Sequence, residues 1–305
     1  MQYTLLPDTD IRISRIGLGA MRIAKKSETE VASLISSALD LGINFFDHAD
    51  IYGGGHSEEV FASAWKRLHR NYDEIVLQSK CGIRPQHYDL SASYIQNACE
   101  GSLKRLNAER LDILLLHRPD ALAQPEEIAN AFDKLYTAGK VRFFGVSNHS
   151  PRQIDLLQKH TRHRIVVNQM QLSVTNASMI AAGINVNTSG DDAVNRDGGT
   201  LDYCRLNGIH VQAWSPMQFG AFQGAFVDNH QYETLNQTLS EIATSYSVNR
   251  SAIAIAWLLR HPANIQPILG TTDIQHLKDA ANGIDIRLSR SEWYKIYLAA
   301  GYTLP

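Results

Sequence analysis

Eight short apolar runs punctuate the chain: Ile16–Ala20, Ile43–Phe46, Ile75–Ser79, Leu111–Leu116, Val141–Val146, Ile165–Asn168, His210–Ala213 and Gln266–Leu269. Their apolar character is nearly continuous instead of alternating, and Val, Ile and Leu dominate. That pattern fits strands covered on both faces, as in a parallel sheet. Helix-period stretches lie between them. In Ser57–Leu68, Val60, Ala64 and Leu68 repeat at i, i+4 and i+8, with Ser57 as the expected N-cap and Glu58 and Glu59 in the first turn. In Ser91–Leu106, Ile95, Cys99 and Leu103 form one stripe, and Pro125–Ala138 is closed by Gly139. Eight strands alternating with helices predict one closed (β/α)8 TIM barrel over residues 1–305. Met1–Arg15, with the turn sequence PDTD, predicts a hairpin outside the barrel. A helix over Asp273–Asn282 and a C-terminal helix opened by Ser289 follow the eighth strand. Asn185–Thr200 and Trp214–Gln231 read as long irregular loops, the first of them mobile.

Composition removes several function classes. The chain has 305 residues with 29 basic and 31 acidic side chains, a net charge of −2, and no basic stripe that would suit nucleic acid. Its longest apolar run, Ala252–Leu259, is far shorter than a membrane span. The N-terminus, MQYTLLPDTD, lacks the basic and apolar regions of a signal peptide, which with three scattered cysteines gives the expectation of a reduced, cytoplasmic protein. Twelve histidines include no helical H-x-x-x-H pair, and no C-x-x-C is present, so no metal site is expected.

In barrels of this kind the reacting groups gather where strands end and βα loops begin. That filter selects Asp47 after the second strand, Lys80 after the third and His117 after the fourth, with Tyr52 in the loop after Asp47. Charged groups ending apolar strands are expensive unless paired, so a structural ion-pair cluster is the alternative for each one alone. Together they suggest acid-assisted hydride addition to a carbonyl. Lys80, paired with Asp47, is expected to lower the Tyr52 pKa and make the phenol a usable acid, while His117 orients a substrate oxygen or assists the proton.

The segments INFFDHADIYGGGHSEEVF, SKCGI, LDILLLHRPD, GKVRFFGVSNHS, VVNQMQLS and VQAWSPM, taken in this order across nearly the whole chain, resemble the aldo-keto reductase family, and HADIYGG with SKCGI resembles a bacterial oxidoreductase branch of it. The resemblance implies that Asp47, Tyr52, Lys80 and His117 are catalytic. It implies that Ser147, Asn148 and Gln169 hold a nicotinamide carboxamide, that Trp214, followed by Ser215 and Pro216, stacks on the ring, and that Gly19, Ala20, Met21 and Arg22 approach the cofactor. Read from composition alone, Trp214 would be a core residue and the short polar groups strand-end caps. The segment GTTDIQHL places Gly270, Thr271, Thr272 and His276 where the family binds phosphates, at the start of a helix. Gly270 and His276 stand where many relatives carry Lys and Arg, leaving His276 and Lys278 as the nearest cations. The resemblance implies NADP(H) as the preferred cofactor, and the departure at 270 and 276 leaves NAD(H) usable. The expected partner is a small carbonyl compound. A class I aldolase with Lys80 as its Schiff-base lysine and a regulatory nicotinamide-binding module are the competing readings.

Overall fold

The computed structural model describes residues 1–220 and 222–305. Two short strands, β1 (Tyr3–Leu5) and β2 (Arg12–Ser14), form the expected antiparallel hairpin. Eight parallel strands then close into a barrel: β3 (Gly17–Gly19), β4 (Phe45–Asp47), β5 (Val76–Cys81), β8 (Leu111–Leu116), β9 (Val141–Ser147), β10 (Ile165–Gln171), β11 (His210–Trp214) and β12 (Gln266–Leu269). They follow chain order around the barrel, and β12 closes it against β3. The small hairpin of β6 (Ile83–Arg84) and β7 (His87–Tyr88) hangs on the loop after β5. The helices are α1 (Glu28–Asp40), α2 (His56–Arg67), α3 (Ala92–Leu106), α4 (Pro125–Thr137), α5 (Pro151–His160), α6 (Ser178–Ile184), α7 (Thr200–Leu206), α8 (Glu233–Tyr246), α9 (Arg250–Leu259), α10 (Ile274–Ala281) and α11 (Arg290–Ala299).

Two apolar layers hold this arrangement. The larger lies between strands and helices. The smaller, with Leu6, Ile11, Ile13, Phe45, Ile113, Val167 and Ile268, fills the barrel bottom and includes the N-terminal hairpin as its plug. The run Ala252–Leu259 is buried on every face because α9 packs against α8 and α10 as well as the barrel. Gly283 lets the following turn touch α9, since a Cβ there would meet Ala252 O at 2.3 Å. Trp257 and Trp293 stack at 4.7 Å and each donates its indole N–H to the other's carbonyl at 3.1 Å, which locks α11 onto α9.

Two local expectations need correction. Ser57 does not cap α2. The cap is Gly55, at φ 96°, and Ser57 lies buried in the first turn without a hydrogen-bond partner. A run of three glycines ahead of the helix makes the chain turn through conformations that a serine cap does not provide. The 185–200 segment is irregular apart from one turn, but it is tied down. Asp192 accepts from the backbone and hydroxyl of Thr303 at 2.9 and 2.7 Å, and Asn185 donates to Thr303 O at 3.3 Å, so the C-terminal residues fasten it. The 214–231 loop is also irregular, and its residue Ala221 lies outside the described residues. Among the described residues, no helix is long and apolar enough to cross a membrane.

Candidate active site

The loop after β4 carries the first cluster. Asp47 ends the strand, and the chain turns through Tyr52–Gly55 with Gly53, Gly54 and Gly55 at φ 60°, 67° and 96°. Left-handed values at three successive residues are easy only for glycine. The turn brings Tyr52 back over the barrel mouth.

Lys80, on the penultimate position of β5, lies under that turn and is 1% exposed. Its ammonium donates to Asp47 Oδ2 at 2.6 Å, to His48 O at 2.9 Å and to Tyr52 Oη at 3.1 Å, which uses all three of its protons. Burial alone would lower the lysine's pKa, but the attraction of Asp47 and Tyr52 outweighs it and the net direction is up. The phenol departs from the sequence expectation. Burial raises the Tyr52 pKa, and Asp47 and Asp50 add to the rise. Lys80 opposes them without reversing the sign. His117 stands edge-on to Tyr52, with ring centroids 5.9 Å apart. Burial, then the Lys80 and Arg118 charges, hold it well below the usual imidazole value, so it is neutral, and its Nδ1 has no partner. His48, buried against Phe61, is pushed down to about 3 by burial and Lys80.

Under Asp47 the barrel interior is polar. Gln78 donates to Asp47 Oδ1 at 2.6 Å and Gln169 to the same oxygen at 3.2 Å. Both also donate to Gln212 Oε1 at 2.9 Å, Gln212 donates to Gln266 at 3.1 Å, and Gln266 ends on Ser14 O at 2.7 Å. This glutamine chain fixes the carboxylate that fixes the lysine. Sequence reading found only Gln169. The others sit at inward positions of apolar runs, where one glutamine gives no sign of meeting three more across the barrel.

A pocket of about 480 Å³ opens above the cluster. It brings together Asp47, Tyr52, His117, Gly19, Met21, Arg22, Ser147, Asn148, Gln169, Trp214, Ser215, Pro216, Gly270, Thr271, Thr272 and His276. Of the residues selected from the sequence, Lys80 and Ala20 do not line it, both being buried beneath its wall. Arg118, Met217, Gln218, Asp228 and Ser251 line it too and were missed. Arg118 follows His117 directly and was within reach of the strand-end argument. The others come from an irregular loop and a helix start, which carry no periodic signal.

The pocket's two ends differ chemically. At one end Trp214 donates its indole N–H to Asn148 Oδ1 at 3.0 Å, Asn148 donates to Ser147 Oγ at 2.8 Å, and Ser147 donates to Gln169 O at 2.8 Å. Asn148 and Ser215 hold φ of 58° and 52°, values that non-glycine residues rarely adopt and that cluster at binding sites. Arg118 lies 5.7 Å from the Trp214 ring. At the other end the chain enters α10. A Cβ at Gly270 would meet no atom within 4 Å, so the missing side chain keeps that end open. Arg22 donates to Gly270 O at 3.3 Å, and His276 lines the wall, whereas Lys278 does not. The cations at this end thus come from the first loop instead of Lys278: Arg22 lines the opening, and Lys26 is near enough to Asp273 to help the His276 N–H hold its carboxyl below the usual value. Asp273 caps α10 by accepting the His276 N–H at 2.9 Å, which puts a carboxylate at the helix start. An aromatic platform with amides beside it, and an open backbone cradle with Arg22 beyond, fit a nicotinamide dinucleotide.

Residues 15–298 match the profile of the Aldo/keto reductase family. The chain belongs to that family. It is similar to the 6-dehydroglucose reductase of Agrobacterium fabrum, with 34% identity over 98% of each chain. It is also similar to the oxidoreductase YdhF of Escherichia coli, with 32% identity covering 96% of this chain and 95% of the relative. Among solved structures, a thermostable aldo-keto reductase in complex with the inhibitor epalrestat superposes with a TM-score of 0.79 at 26% identity, covering 98% of this chain and all of the other. The protein is therefore an oxidoreductase of a family that acts on small molecules with a nicotinamide cofactor, on a (β/α)8 barrel.

Proposed function

We propose that this aldo-keto reductase reduces the carbonyl of an aldehyde or ketone, with Tyr52 as general acid. The observation that carries the reading is the contact of Tyr52 Oη with Lys80 Nζ at 3.1 Å, over a lysine fixed by Asp47 at 2.6 Å, at the floor of the pocket. Nicotinamide, when bound, supplies the hydride. Trp214 offers the stacking face, and Ser147, Asn148 and Gln169 offer the amide and hydroxyl groups for the carboxamide. The raised pKa keeps Tyr52 protonated at neutral pH, so it holds the proton that the carbonyl oxygen must receive. As that O–H bond breaks, the phenolate forms beside the Lys80 ammonium, which offsets the new charge. Neutral His117 donates one N–H to the substrate oxygen and orients it. The product is an alcohol, and Tyr52 recovers its proton from water.

The same geometry disfavours an aldolase. A Schiff-base lysine must be unprotonated, and Asp47 pushes Lys80 the other way. For the cofactor, Arg22, Thr271, Thr272 and His276 support a preference for NADP(H). The carboxylate of Asp273, and the absence of Lys or Arg at 270 and 276, leave NAD(H) usable. The test is a panel of aromatic, aliphatic and sugar-derived carbonyls, followed by loss of nicotinamide absorbance. Turnover by wild type with little or none from Tyr52→Phe supports the reading. A fully active Phe variant, or no turnover of any carbonyl alongside tight cofactor binding, overturns it.

A further inference from the structure

Asp50 lies two residues before Tyr52, is partly buried, and has no part in the reaction derived above. Its backbone N–H bonds to Lys80 O at 2.9 Å, which seats the residue on β5 beside the lysine. Its side chain faces α3, where Tyr94 Oη donates to Asp50 Oδ2 at 2.7 Å. The second oxygen, Oδ1, is shielded from solvent and makes no hydrogen bond of good geometry, the Ile51 N–H being the one neighbouring backbone donor that favours the carboxylate's charge. Such a half-satisfied carboxylate is expensive to keep, and structural tethering needs only a neutral amide or hydroxyl. Resting on the reading of Tyr52 as the acid, we propose that Asp50 is a positioning residue for Tyr52, held to β5 through its backbone and clamped to α3 by Tyr94, so that its carboxylate stands fixed beside the turn that carries the phenol.

The surroundings support a charge effect. From α3 come Tyr94 and Arg105, and from α2 comes Glu58, fully buried and paired with Arg105 at 2.8 Å and Ser79 Oγ at 2.7 Å. From β5 come Lys80 and the buried thiol of Cys81, held well above its ordinary value by burial first and Asp50 next. His48 and Asp47 lie on the same loop. Arg84 of β6 covers the Tyr94 ring at 5.0 Å, which extends the clamp to the surface hairpin. Burial raises Asp50 to about 6. The Tyr94 hydrogen bond, Arg105 and the Ile51 N–H lower it, and Glu58 raises it. An ionised Asp50 in turn raises Tyr52. Above about pH 6, then, the carboxylate is charged and disfavours the phenolate, while below it the opposition is removed.

The experiment is the pH dependence of kcat/KM for carbonyl reduction, from about pH 5 into strong alkali above about pH 10, where a Tyr52 raised from its ordinary value loses its proton, for wild type, Asp50→Asn, Tyr94→Phe and Tyr52→Phe. Thermal melts and cofactor titrations run alongside. Wild type is expected to show an inflection near pH 6 and a second, alkaline limb as Tyr52 loses its proton. Asp50→Asn should lack the first and carry the second lower by roughly half a pH unit or more, the scale of one neighbouring charge in a partly buried site. Tyr94→Phe should move the first inflection upward, because the carboxylate loses its donor. If Asp50→Asn does not fold, Tyr94→Phe decides alone. Profiles that superimpose on wild type in every folded variant, with Tyr52→Phe inactive, would overturn the role of Asp50 and leave Tyr52 standing. An active Tyr52→Phe would instead remove the reading beneath it.

Discussion

Replacing Lys80 by Met keeps length and volume but removes the cation. Asp47 keeps the Gln78 and Gln169 donors at 2.6 and 3.2 Å, yet it loses the ammonium at 2.6 Å in a position where its side chain is 3% exposed. Breaking a buried pair on one side costs about 3–5 kcal/mol, because the remaining charge is left uncompensated. Two surviving donors place the expectation near the lower end, about 3 kcal/mol. For a chain of 305 residues that corresponds to a Tm lower by roughly 5 °C. Adding Asp47→Asn to Lys80→Met removes both charges and should recover part of the loss, so the cycle is non-additive. The pH window follows from sign. Lys80 has a folded pKa above its unfolded value, so its contribution is full below about pH 10.4 and fades as pH rises through the folded value. The gap between wild type and variant should narrow only in strong alkali. Residual turnover should be small, with the limb that reports loss of the Tyr52 proton moved up in pH, since Lys80 is the influence that favours phenolate. The assays are thermal melts at several pH values and a pH–rate profile. A Met variant that melts within a degree of wild type and keeps the wild-type profile would refute the argument.

Tyr52→Phe should lower reduction by on the order of 10²-fold or more, with cofactor affinity nearly unchanged when measured by quenching of Trp fluorescence. Asp47→Asn should lower turnover less than Lys80→Met, because it leaves the ammonium in contact with Tyr52, as steady-state rates at neutral pH will show. His276→Arg should tighten NADPH roughly tenfold while leaving NADH alone, by adding a guanidinium at the open end of the pocket. Equal shifts for both cofactors would place position 276 away from the ribose phosphate. Gln212→Leu removes the acceptor shared by Gln78 and Gln169 and should cost about 1–3 kcal/mol, read as a lower Tm, with a loss of turnover through Asp47.

The sequence by itself determined the barrel. Runs such as Leu111–Leu116 and Gln266–Leu269 coincide with β8 and β12 because continuous apolar stretches between amphipathic helices have few other ways to be buried. It also determined the cluster around Lys80, since charged residues at apolar strand ends stand out against their surroundings. Cap chemistry was legible where one side chain decides it, as at Ser289, and misread at Ser57, where three left-handed glycines set the entry to α2. Tertiary structure alone decided the rest. Only barrel closure joins Gln78, Gln169, Gln212 and Gln266 into one chain under Asp47, and only the packing of α3 against the second loop puts Tyr94 on Asp50. The direction of the Tyr52 pKa turned on the same fact. A sequence shows that a lysine is near enough to help a phenolate, but the opposing desolvation depends on how completely the folded chain excludes water from that hydroxyl.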